Sequence, residues 1–417
     1  MNNYIVGIDI GSSKICGVVG NLDDVRKFQV LGVTTSKCHG IKKTGELDIE
    51  STSKAVKDVV EQLGNIINAT ICGVYVSVPI TLCEVIRRED VLTLSSQDRE
   101  ITPQDVSNLI DVIRLEAKKD TNKEIIKIEP VMYKINDVEN IKNPLGLLGR
   151  RLAVAVDMIV VQKEILELYK IPVEKAGIKV LGTTVDSVGV AKDALMKAEL
   201  TDGVAIIDIG AETSDIVIYK NNKIQYVSSI NLAGDTITND ISICLKISKQ
   251  DAETLKLKSG RIYKENIENG EKIRIYSQTD GQAIEIDYSM LVEIIYERVR
   301  EIFTLIKEEL VTNGVFNDVK NIAIYGGGIS FYRGITDLTK EIIERDIRIA
   351  IPSYVGAANP IYTVAIGIIK ELYLKENIKS EVQKDNISIN LKDEVAIDKK
   401  EKVKVLSKVK AFLSDFF

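Results

Sequence analysis

The 417-residue sequence is poor in the residues that build most hydrolytic and metal sites. It has one histidine, His39, in a glycine- and lysine-rich stretch, so a Ser-His-Asp triad or a histidine-ligated metal site is not expected. Its five cysteines are scattered and form no C-x-x-C pair. This pattern argues against a structural metal site and suits a reducing cytoplasm.

Long apolar runs and basic patches are also missing. No uncharged apolar stretch reaches the roughly 18 residues that a membrane span needs, and the chain enters a strand pattern without a basic leader, so we expect neither secretion nor a spanning helix. The net charge of -6 and the lack of a basic, aromatic-studded patch argue against nucleic acid as a partner. The hydrophobic content of 45% and charged content of 28% are typical of a soluble globular protein, and the length suggests about two to four folding units.

The most informative stretch runs from Val204 to Ile224. An apolar, β-rich run ends at Asp208, Gly210 permits a tight turn, and a second apolar run follows until the turn at Asn221-Asn222. The pattern therefore predicts a β-hairpin that presents a carboxylate where its first strand ends.

The N-terminus contains the same sequence motif. Asp9-Ile10-Gly11 matches Asp208-Ile209-Gly210 residue for residue, which indicates that the chain is duplicated. Two such hairpins from related halves would face each other across a phosphate chain. Their backbone N–H groups and small hydroxyls would contact phosphate oxygens, while Asp9 and Asp208 would hold Mg²⁺ directly or through water.

A third glycine-rich site follows the predicted strand that begins at Ile322. Gly326, Gly327 and Gly328 have no Cβ, so the backbone there can approach a flat adenosine closely. The two hairpins and this loop together resemble the actin-like ATPase superfamily. The resemblance implies an α/β, two-lobed fold with ATP and Mg²⁺ held between the halves.

The candidate site residues follow from these three stretches. Asp9 and Asp208 are the predicted metal ligands, and Asp208 and Glu212 are the candidate catalytic residues. The predicted nucleotide-binding residues are Gly11, Ser12, Ser13, Lys14, Gly210, Ala211, Thr213, Gly234, Asp235, Glu253, Lys256, Gly326, Gly327 and Gly328.

Two of these loop positions depart from the superfamily pattern. Ala211 and Glu212 stand where relatives commonly have glycine, so each side chain narrows the approach of the backbone and Glu212 brings negative charge toward the polyphosphate. We therefore expect ATP binding with at most slow hydrolysis. Glu212 could instead orient the attacking water, although its repulsion of the γ-phosphate opposes that role.

Residues 84–162 differ from the rest of the chain in their predicted pattern of helix and strands. Thr102 is the predicted N-cap and Pro103 the first residue of a helix that runs to Ala117, and strands are predicted near 125–135 and 152–161. We interpret this stretch as an α+β insertion without a catalytic constellation. A subdomain 1C inserted here, in place of the usual 1B, resembles the FtsA family of bacterial cell-division proteins over nearly the whole chain.

The resemblance implies a division of the chain into subdomains. Subdomain 1A would take residues 1–83 and 163–196, and subdomain 1C residues 84–162. Subdomain 2A would take residues 197–232 and 319–374, the last part returning to 1A. Subdomain 2B would take 233–318, followed by a linker at 375–402 and an amphipathic membrane-targeting helix at 403–417.

The apolar pattern also predicts regular elements elsewhere in the chain. A three-strand meander is expected from Tyr4 to about Val33 and a strand at Val180–Val185, with helices at Ser51–Leu63 and Tyr288–Leu310.

Three further segments are predicted to have specific roles. A small-residue helix at Ser187–Ala194 suits close helix crossing, as at a hinge between halves or in simple packing. After Gly234, either Asp235 or Thr236 could cap a helix, in a segment that resembles the family's G-x-x-x-T-x-D-I pattern. By the resemblance, Glu253 and Lys256 reach the ribose and base; an exposed i,i+3 ion pair is the alternative.

The last fifteen residues have an apolar face with lysines beside or opposite it. A charge-rich linker without periodicity precedes them, so we expect a helix that lies on an anionic membrane surface; docking on its own chain or on a second copy is the alternative. The predicted membrane-facing residues are Val405, Leu406, Val409, Phe412, Leu413, Phe416 and Phe417.

The resemblance implies a function at the division site. The expected protein binds ATP, polymerises, contacts the C-terminal tail of the tubulin-like FtsZ through subdomain 2B, meets other divisome proteins and is peripheral on the cytoplasmic face of the cell membrane. A pilus-assembly actin-like scaffold is the first alternative, and the amphipathic tail argues against it. An actin-fold small-molecule kinase is the second, but no catalytic base is evident beyond the two aspartates.

Overall fold

The computed structural model describes residues 4–22, 28–38, 40–41, 47–263, 267–268, 270–352, 354 and 356–374. The chain divides into two compact units. The first contains Met1–Thr81 and Leu168–Glu371, and the second contains Leu82–Glu167 and Leu372–Phe417. The predictions for His39, for the linker at 375–402 and for the amphipathic helix at 403–417 fall on residues outside the described ranges.

The first unit opens with the predicted three-strand meander and one helix. Its elements are β1 (Ile5–Ile10), β2 (Lys14–Leu22), β3 (Phe28–Lys37), α1 (Ile49–Ile67) and β4 (Gly73–Val78). Asp48 caps α1 by accepting from the N–H of Ser51, and Val56, Val59 and Leu63 are fully buried on one face of the helix. The strands and the helix predicted for this stretch are confirmed.

The second unit is a four-stranded antiparallel sheet with one helix. Its elements are β5 (Cys83–Thr93), β6 (Arg99–Glu100), α2 (Pro103–Ala117), β7 (Lys123–Ile135), β8 (Val138–Ile141), β9 (Leu148–Gly149) and β10 (Arg151–Gln162). The sheet order is β5-β10-β7-β8, and its core packs Leu109 and Ile113 of α2 with Leu152, Val154 and Val156 of β10. Thr102 and Pro103 begin α2 as predicted.

The chain then re-enters the first unit and repeats its design. The connecting elements are α3 (Lys163–Lys175), β11 (Lys179–Val185), α4 (Asp186–Ala194) and α5 (Lys197–Asp202). The second half contains β12 (Val204–Ile209), β13 (Ser214–Lys220), β14 (Lys223–Ile230), α6 (Gly234–Leu245), α7 (Lys249–Ser259), β15 (Lys272–Tyr276), β16 (Ala283–Asp287), α8 (Tyr288–Thr312), β17 (Asn321–Tyr325), α9 (Ile335–Ile343), β18 (Asp346–Ile349) and α10 (residues 363–374).

The two large sheets of the first unit have the same topology. Their orders are β3-β2-β1-β4-β11 and β14-β13-β12-β17-β18, each with an antiparallel meander followed by two parallel strands. In the second sheet the β13–β14 turn places Asn221 and Asn222 at positive φ, as a two-residue hairpin turn of this kind requires. The duplication predicted from the two Asp-Ile-Gly phrases is confirmed at the level of whole sheets.

The small-residue helix α4 crosses α10 at very short range. A Cβ on Gly189 would lie 2.8 Å from the carbonyl carbon of Gly367, and a Cβ on Gly367 would overlap the backbone of Gly189. Only residues without a side chain permit this approach, so the predicted close crossing is confirmed. Both glycines lie in the first unit.

Three details complete the fold. The N-cap of helix α6 is Ala233, whose N–H donates a hydrogen bond to the hydroxyl of Thr236 at 3.4 Å. The predicted N-cap, Asp235 or Thr236, was therefore wrong. Helix α8 extends two residues beyond the predicted Leu310, and Leu291, Ile295, Val299 and Phe303 of it are fully buried. Within the described residues, no helix has the length and apolarity to cross a membrane.

Candidate functional site

The two predicted hairpins have the same backbone geometry. In the first, the N–H of Gly11 donates to the carbonyl of Lys14 at 3.0 Å, and in the second, Gly210 donates to Thr213 at 3.0 Å. We call residues 11–13 the first hairpin loop and residues 210–213 the second hairpin loop. The amides of both glycines are therefore used inside the turns, so the predicted phosphate contacts of the loop backbones would have to come from other amides.

Other amides of the loops remain available. Among the described residues, the N–H groups of Ser12, Ser13 and Ala211 donate to no acceptor. The carbonyls of Ser12 and Ser13 accept from Gly40 and Cys38, at 2.9 and 3.1 Å, which fixes the loop from its other side. A loop held by its carbonyls with its amides unpaired is a suitable receptor for an anion.

Three segments meet at the second hairpin loop. Gly234 donates to the carbonyl of Gly210 at 3.1 Å, Asp235 to that of Ala211 at 2.7 Å, and Gly328 to that of Ile209 at 2.9 Å. The start of α6 and the glycine loop, residues 326–328, are thus joined to the same hairpin. The amides of Gly234 and Asp235 support the loop and are not available to a ligand.

The glycine loop needs residues without a Cβ. Gly326 has φ +92°, and a Cβ there would overlap the carboxylate of Asp208. A Cβ on Gly327 would overlap the ammonium of Lys14, and one on Gly328 would lie 2.5 Å from the carbonyl oxygen of Gly210. The structure therefore brings together the three stretches that the sequence singled out.

Four aspartates lie at the strand ends around these loops. Asp9 and Asp208 end β1 and β12, Asp215 stands directly opposite Asp208 on β13, and Asp186 begins α4 after β11. Asp9 accepts from the hydroxyl of Ser77 at 2.6 Å. Asp186 accepts from the amide of Ile80 at 3.0 Å.

Asp215 connects the two halves of the first unit. Its carboxylate accepts from the hydroxyl of Thr81 at 3.3 Å and from that of Ser229. Thr81 precedes the insertion and Ser229 lies on β14, so hydroxyls from both halves hold the same carboxylate. This arrangement fixes Asp215 beside Asp208.

Burial and mutual repulsion raise the pKa values of this cluster. Burial raises the pKa of Asp208 well above its usual range, and the charges of Asp215, Asp9 and Asp186 raise it further. Burial raises the pKa of Asp186 to about 7, against the opposing hydrogen bonds from Ser187 and Ile80. Burial also raises the pKa of Asp9, which the hydrogen bond from Ser77 and the charge of Lys14 partly offset.

Lys14 is the cation of this cluster. Its side chain leaves the first hairpin loop, reaches the glycine loop at Gly327, and its charge lowers the pKa values of both Asp9 and Asp208. One ammonium faces four carboxylates. Such an excess of buried negative charge is typical of a site that receives a cation, and perturbed carboxylates of this kind often mark functional sites.

Lys256 is placed differently from the ribose contact that the resemblance implied. It is 3% exposed, and its ammonium donates to the carbonyl of Gly234 at 3.0 Å and to the hydroxyl of Thr238 at 2.9 Å. Glu253 pairs with it at 2.6 Å and keeps 38% of its side chain exposed. In this structure Lys256 holds the start of α6, and Glu253 is the member of the pair that reaches solvent.

Sequence reasoning missed Asp186, Asp215 and Ser77. Asp186 had a usable signal, because it follows a predicted buried strand in the same way as Asp208 does. Asp215 had no such sequence signal. In the N-terminal copy of the duplicated motif, the residue paired with Asp9 is Cys16, whereas in the second copy the residue paired with Asp208 is Asp215. Ser77 lies 68 positions from its partner Asp9, and no local pattern connects the two.

The donor set fits a magnesium-polyphosphate ligand. Across the described ranges, no three histidine, cysteine or acidic side chains converge as a ready-made metal site. Mg²⁺ in nucleotide sites is typically bound by one or two carboxylates together with water and phosphate oxygens. Asp9 and Asp208 provide two such carboxylates. The unpaired amides of the hairpin loops and the Cβ-free glycine loop provide the phosphate side.

Sequence comparisons identify relatives along the chain. Residues 205–367 match the family described as "Cell division protein FtsA", and residues 83–160 match the family "SHS2 domain inserted in FTSA". The two matched ranges together take up more than half of the chain. The sequence is 26% identical to the cell division protein FtsA of Pseudomonas aeruginosa over 99% of this chain and 98% of the relative, and 27% identical to that of Bacillus subtilis over 88% and 83%.

Solved structures share the fold at lower identity. The PilM-PilN type IV pilus biogenesis complex aligns with a TM-score of 0.59 at 15% identity, covering 89% of this chain and 98% of that one. The ethanolamine utilization protein EutJ of Carboxydothermus hydrogenoformans aligns with a TM-score of 0.50 at 13% identity, covering 88% and 89%. The predicted α/β fold with an inserted α+β domain is confirmed.

Proposed function

Since the chain belongs to the FtsA family of cell-division proteins within the actin-like superfamily, we propose that it binds Mg-ATP and links the FtsZ ring to the cell membrane. The observation that carries the nucleotide part is the convergence of two matching hairpin loops, a Cβ-free glycine loop and four aspartates. The parts that concern membrane, polymer and partners rest on the family and on the sequence of the tail.

In the proposed complex each loop has one task. Asp9 and Asp208 hold the metal, the amides of Ser12, Ser13 and Ala211 donate to phosphate oxygens, and Lys14 moves from the carboxylates toward the phosphate chain. When bound, Mg²⁺ supplies charge that offsets both the phosphates and the aspartates. The residues Gly326 to Gly328 let the backbone lie against the nucleoside.

The nucleotide acts mainly as a conformational ligand in this proposal. Glu212 occupies the second hairpin loop beside the phosphate path, where its charge opposes the γ-phosphate, so turnover is slow or absent. ATP instead favours the closed arrangement of the two halves of the first unit and thereby polymerisation. Turnover at about 10 per second, the typical enzyme median, would contradict this role.

The C-terminal helix is the proposed membrane anchor. Full burial of each apolar side chain from Val405 to Phe417 could contribute about 1.5 to 3 kcal/mol, of which an interfacial helix gains only part. The lysines add roughly 1 kcal/mol each at an anionic surface, offset by Asp415 and by the cost of ordering. A single tail therefore binds reversibly, whereas a polymer that presents many tails stays attached.

A groove between α6 and α8 is the proposed contact for the FtsZ tail in subdomain 2B. Its lining combines apolar side chains, among them Met290 and Ile294, with charged ones, which include several glutamates of α8 and the ion pair between Arg298 and Asp240 at 2.5 Å. Apolar anchors beside charged groups suit a short peptide segment. Ile294→Glu is expected to weaken binding of an FtsZ tail peptide in fluorescence anisotropy and to leave ATP affinity unchanged.

Two measurements test the proposal. Isothermal titration calorimetry with Mg²⁺ present should give tight ATP binding by the full chain, and Asp9→Ala and Asp208→Ala should each weaken it strongly. Unchanged affinity in both variants would remove the site assignment. In liposome pelleting with anionic lipid, ATP should increase the pelleted fraction, and deletion of 403–417 or the pair Phe412→Glu and Phe416→Glu should abolish it while ATP binding stays intact.

A further inference from the structure

Tyr325 is a buried tyrosine at the last position of β17, immediately before the glycine loop. It is 2% exposed, and it stands in register with Asp208 on the neighbouring parallel strand, so the two side chains project from the same face of the sheet. Its hydroxyl makes no hydrogen bond with any residue in the described part of the chain. A residue on the central strand of the site thus carries a donor without a protein partner.

Two other buried tyrosines of the same unit, Tyr288 and Tyr332, have backbone partners for their hydroxyls. Tyr288 donates to the carbonyl of Ser259 at 2.5 Å, and Tyr332 donates to that of Lys256 at 3.0 Å. Placing a hydroxyl in a protein interior without a hydrogen bond is unfavourable, and most buried polar groups have a partner. The hydroxyl oxygen of Tyr325, however, is not among the fully buried polar atoms that lack a partner, so it keeps access to solvent and can donate to an acceptor that arrives from outside the chain.

The surroundings of Tyr325 define which acceptor fits. The charges of Asp208, Asp186, Asp215 and Asp9 act on its phenol, which places the hydroxyl of Tyr325 beside the aspartate cluster. Repulsion among the four carboxylates opposes an additional anion unless a cation accompanies it. A phosphate oxygen that enters with a divalent cation meets both conditions.

We propose that the hydroxyl of Tyr325 donates a hydrogen bond to a phosphate oxygen of the bound nucleotide. This inference rests on the proposed nucleotide function and adds one residue to it. Its role is binding: Tyr325 contributes a donor from the floor of the site, while the unpaired amides of Ser12, Ser13 and Ala211 contribute donors from the loops.

The test is Tyr325→Phe in the full chain, which keeps the ring and removes only the oxygen. Hydrogen bonds to charged groups are the stronger class, so Mg-ATP should bind about tenfold or more weakly in calorimetry. Adenosine without phosphate should bind as it does to the unchanged protein. The melting temperature of the ligand-free protein should stay the same or rise, because no protein hydrogen bond is lost.

Tyr288→Phe is the matched control, because its hydroxyl has a backbone partner and lies outside the site. It should lower the melting temperature and leave Mg-ATP affinity unchanged. Tyr325→Phe with unchanged Mg-ATP affinity, or with an equal loss for adenosine, would overturn the phosphate contact. A drop in melting temperature that matches Tyr288→Phe would assign Tyr325 a structural role and overturn it as well.

The failure of the broader proposal has a different signature. If the unchanged protein binds no Mg-ATP, the nucleotide function itself fails, and the contact of Tyr325 fails with it. If the unchanged protein binds Mg-ATP and Tyr325→Phe binds it equally, only the contact of Tyr325 fails.

Discussion

Two aspartates of this protein, Asp105 in the second unit and Asp208 in the first, show opposite uses of a carboxylate. Asp105 lies in the first turn of α2 and pairs with both ends of the Arg99 guanidinium at 2.6 and 2.8 Å. It also accepts from the amide and hydroxyl of Thr102, at 2.9 and 2.7 Å. The hydrogen bond from Arg99, with those from Thr102, holds the pKa of Asp105 well below its usual range.

Asp208 has the reverse environment. Three other aspartates surround it, Lys14 is the cation near it, and burial together with these charges raises its pKa well above the usual range. A carboxylate paired with a cation at a helix N-terminus stabilises the fold, whereas mutual repulsion within a cluster of buried carboxylates destabilises it until a cation arrives. The difference indicates that the charge of Asp105 stabilises the second unit, whereas the charge of Asp208 in the first unit is suited to binding a ligand.

The largest effect is expected from Asp208→Asn. The change removes one of the two proposed metal carboxylates, so Mg-ATP affinity should fall about 100-fold, equivalent to about 2.8 kcal/mol. Because it also relieves repulsion among the aspartates, the ligand-free protein should unfold at a higher temperature. Calorimetric titration and differential scanning calorimetry measure the two effects.

Asp105→Asn provides the contrasting control for this change. It should leave Mg-ATP affinity unchanged and increase hydrogen exchange in α2, because the bonds with Arg99 and Thr102 are weakened. If both asparagine variants destabilise the ligand-free protein, the contrast between the two regions is wrong.

The second prediction concerns pH and Asp186, whose folded pKa of about 7 lies above its ordinary 3.8. Between these values the folded state holds a proton that the unfolded state has released, so ligand-free stability should fall as pH rises from about 4 to about 7. Mg-ATP affinity should rise over the same range, because the metal needs ionised carboxylates.

Hydrogen exchange and calorimetry at pH 5.5 and 7.5 measure these slopes. Asp186→Asn should remove most of the stability slope, amounting to roughly a few degrees in melting temperature. The charges of Asp215 and Asp9 contribute to the raised pKa of Asp186, so Asp215→Asn should reduce the stability slope without removing it. An unchanged slope in Asp186→Asn would contradict this assignment.

The pH dependence that Asp105 contributes should have the opposite sign. Because its pKa is lowered, α2 should lose stability as the pH falls below the ordinary aspartate value.

The third prediction concerns Glu212 in the second hairpin loop. Glu212→Gly removes a negative charge beside the phosphate path and permits closer approach of the backbone, so ATP affinity or turnover should rise several-fold, about 1 kcal/mol. Glu212→Gln separates charge from backbone effects and should give only part of the increase. A loss of turnover in both variants would instead support the alternative in which Glu212 orients water.

Most of the fold could be predicted because its signals are local. The Asp-Ile-Gly phrases at Asp9 and Asp208 predicted both hairpins, and Thr102 with Pro103 predicted the start of α2. Strand alternation, turn residues and capping residues each act over a few positions, so a single sequence contains them. The duplication then predicted that the two hairpins belong to matching sheets.

The parts of the candidate site that could be predicted are those that contain a repeated sequence motif. Asp215 and Thr81 are 134 positions apart, and nothing local in the sequence indicates that the hydroxyl of one contacts the carboxylate of the other. Gly234 and Asp235 were predicted as nucleotide-binding residues, and the structure adds that their amides bond to the second hairpin loop. Which partner an amide takes depends on how segments from distant parts of the chain meet, and periodicity does not encode that.

The smallest effect is expected from Thr102→Ala at the N-cap of α2. The hydroxyl of Thr102 accepts from the amide of Asp105 at 3.3 Å and donates to the carboxylate of Asp105 at 2.7 Å, so the change removes both bonds and leaves the pair with Arg99 in place. Loss of such a cap typically costs about 1 kcal/mol. Hydrogen exchange of the first turns of α2 should increase accordingly, while exchange in β12 and Mg-ATP affinity should stay unchanged, because the charges of the second unit serve its own stability. Thr102→Ser keeps the hydroxyl and should restore most of the protection, so equal exchange in the alanine and serine variants would show that the hydroxyl does not stabilise the helix.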